Sequence, residues 1–142
     1  MIIPDTNLLV YAYDRGSSNH SPARAWWESS LSGSEPVGIP WIVALAFVRL
    51  MTHSTLSENP MSVIQASSIL QEWLEIPVCR LLPTTEKTFA HFLHLISDED
   101  IGGNLTTDAL IASSAVEFGG TIYSNDRDFD RFQFIRRINP LR

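Results

Sequence analysis

Cysteine is nearly absent from this 142-residue chain, where Cys79 is the only one. A lone thiol excludes an internal disulfide and every zinc site built from paired cysteines. Beside Val78 and Leu81, Cys79 reads as a small buried hydrophobe. Lysine is as scarce, with Lys87 alone against nine arginines. Long apolar runs are missing too: none approaches the ~20 residues that cross a bilayer, and no basic segment precedes an apolar stretch at the N-terminus. The expectation is a cytoplasmic protein with no membrane contact.

Positive charge is also short. Sixteen acids against ten bases leave a net charge of −6, which excludes a protein that coats RNA or DNA by bulk attraction. It does not exclude a nuclease whose acids are neutralised by metal ions. Four bases, Arg131, Arg136, Arg137 and Arg142, lie close together at the end of the sequence. They read as a solvated C-terminal face, with a phosphate-contacting rim as the alternative.

What remains is ordinary for one compact domain over residues 1–142, with 44% hydrophobic residues and no repeat or low-complexity stretch. Short apolar runs alternate with helical periodicity. Ile2-Ile3 forms a strand stopped by Pro4, and Asp5-Thr6-Asn7 then head a helix through Leu8–Tyr13. Ser21-Pro22 opens a helix carrying Trp26, Trp27 and Leu31. Val37–Ile39 is a second strand, followed by a nearly all-apolar helix over Trp41–Met51. Asn59-Pro60 opens a helix running to Pro77, and Val78–Leu82 is strand-like. In the next helix Phe89, Phe92, Leu93 and Ile96 mark the buried face, and the helix ends at or before Ser97-Asp98-Glu99-Asp100. Thr107-Asp108 head a helix closed by Gly119-Gly120. Thr121–Ser124 and Phe134–Ile138 complete the strands. The pattern predicts an α/β domain with a mostly parallel central sheet covered on both faces.

In such a sheet the chemistry gathers where strands end and helices begin. Asp5 follows the first strand, Asp126 follows Thr121–Ser124, and Asp108 begins the helix feeding that strand. Neighbouring strands would bring these carboxylates into one pocket, with Asp128 two residues past Asp126. Each acid alone has a plainer reading as a helix cap or turn residue. Together, acids without His or Cys suit a hard divalent ion, Mg2+ or Mn2+, which activates water and holds phosphate oxygens. His91 and His94 lie one helical turn apart near acids, but the apolar face of their helix and the missing cysteines speak against zinc. Trp26, Trp27 and Trp73 read as core or dimer-interface residues.

Three segments carry a resemblance: Asp5-Thr6-Asn7-Leu8-Leu9-Val10-Tyr11, Asn104-Leu105-Thr106-Thr107-Asp108-Ala109 and Ser124-Asn125-Asp126-Arg127-Asp128-Phe129. In order, spacing and total length the chain resembles PIN-domain ribonucleases, specifically VapC toxins of bacterial toxin-antitoxin pairs. The resemblance implies a PIN-like α/β/α sandwich and a metal-dependent endoribonuclease. It also implies a cognate VapB-type antitoxin that blocks the site, and commonly a homodimer. Residue by residue, Asp5, Asp108 and Asp126 would hold Mg2+ or Mn2+, with Asp128 an auxiliary catalytic acid. Arg15, Arg127 and Arg131 are candidates for holding the RNA backbone. One position departs from the family: Ala46 stands where these proteins usually carry a glutamate. A catalytically silent domain that binds RNA or its antitoxin is therefore the alternative. A phosphoacceptor or phosphatase is disfavoured, because Lys87 lies away from the motifs.

Overall fold

The computed structural model describes residues 1–54 and 59–142. Five strands form one sheet in the order β3-β2-β1-β4-β5, and every neighbouring pair is parallel. They are β1 (Ile2–Pro4), β2 (Val37–Pro40), β3 (Cys79–Leu82), β4 (Thr121–Tyr123) and β5 (Arg137–Ile138). All residues of β1 and β2 are buried, as parallel strands with helices on both faces must be. Pro4 and Pro40 each end a strand, where a missing N–H costs least. The helices are α1 (Thr6–Tyr13), α2 (His20–Ser32), α3 (Trp41–Thr52), α4 (Val63–Glu75), α5 (Glu86–Asp98) and α6 (Thr106–Phe118). This is the α/β sandwich with a short-stranded parallel sheet that the sequence pattern predicts.

Glycine is required at the α6–β4 junction. Gly119 takes a left-handed φ of 67° and its N–H closes the helix on Ala115. A Cβ on Gly120 would fall 2.4 Å from Cδ1 of Ile3, so β1 and β4 pack closely only because the side chain is missing.

The centre of the core is aromatic. Trp73 meets Phe47 at 4.9 Å and Trp27 at 5.5 Å between ring centroids, and Tyr13 meets Phe47 edge-on at 5.6 Å. The Trp73 Nε1–H donates to the Tyr13 hydroxyl at 2.9 Å, giving these two polar tips each other as partners, whereas the buried Trp27 Nε1–H has no hydrogen-bond partner among the described residues. Trp26 is half-buried and stacks on Tyr123. Cys79 is buried, and that burial pushes its thiol up to about 11.

Several elements differ from the sequence reading. α4 starts at Val63, not at Asn59-Pro60, because Ser62 and Gln65 cap each other reciprocally. α2 starts at His20, just before Ser21-Pro22. α5 begins at Glu86 behind the reciprocal pair Thr85 and Thr88. It also continues to Asp98, into the acidic run. Thr88 is fully buried, whereas Phe89 and Leu93, expected inside, are 51% and 47% exposed. The inward face is thus rotated toward Thr88, with Phe92 and Ile96 at its margin. β5 is only Arg137–Ile138, because Phe134 takes a positive φ of 68° and points into solvent.

Candidate active site

The site follows from the register of β1 and β4. Pro4 pairs with Tyr123, so the next residues, Asp5 and Ser124, leave adjacent strands at the same edge. The Asp5 amide donates to the Tyr123 carbonyl at 2.9 Å, extending the ladder by one bond. Asp5 occupies the N-cap position of α1, yet its side chain makes no capping hydrogen bond. The buried carboxylate instead accepts from the Ser124 hydroxyl at 2.8 Å. Ser124 Oγ in turn accepts from the Asp126 amide at 2.9 Å, and Asp126 Oδ1 accepts from the Asp128 amide at 2.9 Å. One hydroxyl therefore ties the acid after β1 to the turn after β4.

Asp108 enters from a third direction, in the first turn of α6. One carboxylate oxygen each from Asp108, Asp126 and Asp128 can be chosen so that all lie within 4.8 Å of one another. Asp5, Asp108 and Asp126 line one pocket together with Asn7, Ala46 and Arg49. Asp5 is the buried member and Asp128 the exposed one. All four acids predicted from the sequence thus gather at this edge.

Electrostatics mark the same place. Burial, reinforced by the charges of Asp5, Asp126 and Asp128, pushes Asp108 up to about 7. Burial also raises Asp5; the Ser124 hydroxyl and the Thr6 amide pull the other way, and Asp126 adds repulsion. Carboxylates this close hold their charge poorly without a cation. The donor set is all oxygen, with neither His nor Cys in the lining among the described residues, which suits a hard divalent ion better than zinc.

Sequence reasoning missed two residues here. One is Ser124, whose place two residues before Asp126 is the spacing of a hydroxyl-capped turn. Arg49 is the basic residue of the pocket lining, whereas Arg15 lines a different hollow with His20, Arg24 and Trp27. Arg127 and Arg131 lie on the short 3₁₀ turn beyond Asp126 and do not line the pocket. Arg137 is already paired: it donates to Asp130 through Nε (2.8 Å) and Nη2 (3.0 Å) and to the Ser124 carbonyl through Nη1 (3.0 Å). His91 faces Glu117 of α6 at 3.3 Å, and His94 is exposed.

Residues 2–135 match the PIN domain family. Across 142 residues the chain is 33% identical to ribonuclease VapC33 of Mycobacterium tuberculosis, covering 100% of this chain and 99% of the relative. It is 36% identical over 140 residues to ribonuclease VapC37 of the same organism, covering 99% and 97%. The fold superposes on the crystal structure of M. tuberculosis VapC20, described as a sarcin-ricin-loop-cleaving toxin, with a TM-score of 0.71 at 19% identity over 96% of this chain and 99% of that one. It also superposes on VapBC2 of Rickettsia felis bound to a promoter DNA fragment, with a TM-score of 0.69 at 24% identity and 98% coverage of both chains.

Proposed function

Because the chain belongs to the PIN-domain family, with VapC ribonucleases among its full-length relatives, we propose that it is the toxin of a toxin-antitoxin pair, a divalent-metal-dependent endoribonuclease acting in the cytoplasm. The observation that carries this reading is the convergence of Asp5, Asp108, Asp126 and Asp128 at the β1–β4 edge. Asp5, Asp108 and Asp126 would hold Mg2+ or Mn2+. Bound there, the ion supplies a water of lowered pKa and charge neutralisation at a phosphate oxygen.

The chain's own residues do the rest. Ser124 holds the Asp5 carboxylate and the Asp126 turn in one orientation through two hydrogen bonds. Asp128, exposed at the rim, lies where it can orient the attacking water or take its proton. In-line attack on an RNA phosphodiester would leave a 5′-phosphate and a 3′-hydroxyl. With a net charge of −6, recognition has to rest on local cations and on unstacked bases in RNA loops.

A VapB-type antitoxin is the partner that the relatives suggest, since solved neighbours include VapBC assemblies. A homodimer would use the apolar face of α5, where Phe89 and Leu93 are exposed and Phe92, Ile42 and Leu110 line the adjoining hollow. The whole chain would act as one domain.

The test is cleavage of end-labelled cellular RNAs by the purified protein with Mn2+ or Mg2+, beside EDTA and Asp108→Asn controls. Metal-dependent cleavage that the variant loses supports the reading. An intact RNA panel with bound Mn2+ would favour the silent alternative that Ala46 raises.

A further inference from the structure

The strongest unused feature of the pocket is a cation. Arg49 sits in the last turn of α3, one helical turn beyond Ala46, and both line the pocket with Asp5, Asp108 and Asp126. An arginine in a pocket lined by three carboxylates would ordinarily pair with one of them. Arg49 does not: it is exposed and makes no hydrogen bond or ion pair with any described residue. Arg49 therefore shares the pocket with the acids while pairing with none of them. Ala46 matters here, because a glutamate three residues before an arginine on the same helix face would compete for it.

On the strength of the function proposed above, we propose that Arg49 is the phosphate-binding residue of this site, gripping a non-bridging oxygen of the RNA phosphate at the pocket it shares with the aspartates. The chemistry suits it: a guanidinium offers a rigid fork of donors matched to phosphate oxygens, stays charged at every working pH, and is weakly hydrated. A chain whose overall field repels RNA requires a cation at the reacting phosphate. Arg15, Arg127 and Arg131 do not line the pocket, and Arg49 does.

A plainer role competes. A basic side chain in the last turn of a helix stabilises the negative end of its dipole. That role predicts a small drop in melting temperature on Arg49→Ala and unchanged cleavage. Phosphate binding predicts the reverse emphasis.

The experiment compares the full chain with Arg49→Ala and Arg49→Lys in three readouts: kcat and KM on end-labelled cellular RNA with Mn2+, the Mn2+ binding isotherm, and binding of the same RNA in Ca2+. Arg49→Ala is expected to lose about 10²-fold in kcat/KM, with partial recovery in Arg49→Lys. Its Mn2+ affinity should hold or tighten, since a positive charge has left the acidic pocket. Cleavage by Arg49→Ala indistinguishable from the parent overturns the proposal. So does a loss of Mn2+ affinity in parallel with cleavage, which would make Arg49 a support for the acids. If the parent binds Mn2+ but cuts no RNA, the nuclease reading fails, and RNA binding decides Arg49 alone: about tenfold weaker binding by Arg49→Ala supports phosphate contact, and equal binding removes it.

Discussion

The first and last residues of α1 lie only about 10 Å apart along the helix axis, and burial has opposite consequences at the two ends. Where α1 begins, beside Asp5, closure of the fold crowds carboxylates and makes their charged forms unfavourable. Where it ends, at Tyr13, the same closure packs Phe47, Trp27 and Trp73 around the chain and gives the Trp73 and Tyr13 polar atoms to each other. The aromatic end therefore holds the fold, and the acidic end is held by it. A helix anchored at one end can present unfavourable chemistry at the other.

Trp73→Ala should produce the largest change. Removing a fully buried indole that touches three other rings is expected to cost about 3–5 kcal/mol, read as a lower urea midpoint with an unchanged slope. If this variant instead loses cleavage while keeping its stability, the division of labour along α1 is wrong.

Asp108→Asn should act in the opposite sense. Metal-dependent cleavage is expected to fall by more than about 10²-fold, beyond what loss of a metal's outer supports typically costs, while the fold stands. Circular dichroism melts in EDTA at pH 8 should show a variant at least as stable as the parent, because a neutral amide relieves the repulsion around residue 108.

Ser124→Ala tests the join between the strands. It removes the donor to a buried carboxylate and the acceptor of the Asp126 amide, and should cost about 1–3 kcal/mol in denaturant unfolding, together with much of the activity.

Without divalent ions, pH becomes a milder probe. Asp108 has its ordinary value of 3.8 when the chain is unfolded and about 7 when folded, so the folded state holds this proton more tightly. Its favourable contribution is complete below pH ~4, falls as pH rises, and is gone above pH ~7. The melting temperature in EDTA should decline across that window through this group. Asp108→Asn should flatten the decline, and Mn2+ should restore stability at the alkaline end. A melting temperature that rises with pH through the same window in the parent alone would contradict the crowding of the acids.

The smallest effect is expected from Ala46→Glu. Added charge should tighten Mn2+ binding in calorimetry severalfold, while a new pairing with Arg49 offsets part of any gain in cleavage.

Much of this arrangement was legible in the order of residues. Pro4 after Ile2-Ile3, and Gly119-Gly120 after the α6 stripe, mark boundaries because proline cannot donate and only glycine tolerates both the turn and the close contact with Ile3. The acids were legible as a set, since each follows a strand or starts a helix. The faces of helices were not. In α5 the apolar spacing put Phe89 and Leu93 inside, but the reciprocal capping of Thr85 and Thr88 turns Thr88 to the core and leaves both outside. The start of α4 was readable from Ser62 and Gln65, three residues apart as a capping box requires, yet the proline two residues earlier drew the boundary upstream.

The sequence by itself determined the alternation of strands and helices, the oxygen-only chemistry of the acids and the exclusion of an internal disulfide and of zinc sites built from paired cysteines, because these depend on residue type and near neighbours. Only the tertiary structure decided that Asp5 pairs with Ser124 and caps nothing, that Asp108 stands near neutrality, and that Arg49 shares the pocket while Arg15 does not. Those outcomes depend on the register of β1 against β4 and on the rotation of α3 about its axis. Both are set by contacts between residues far apart in the chain, which no local pattern encodes.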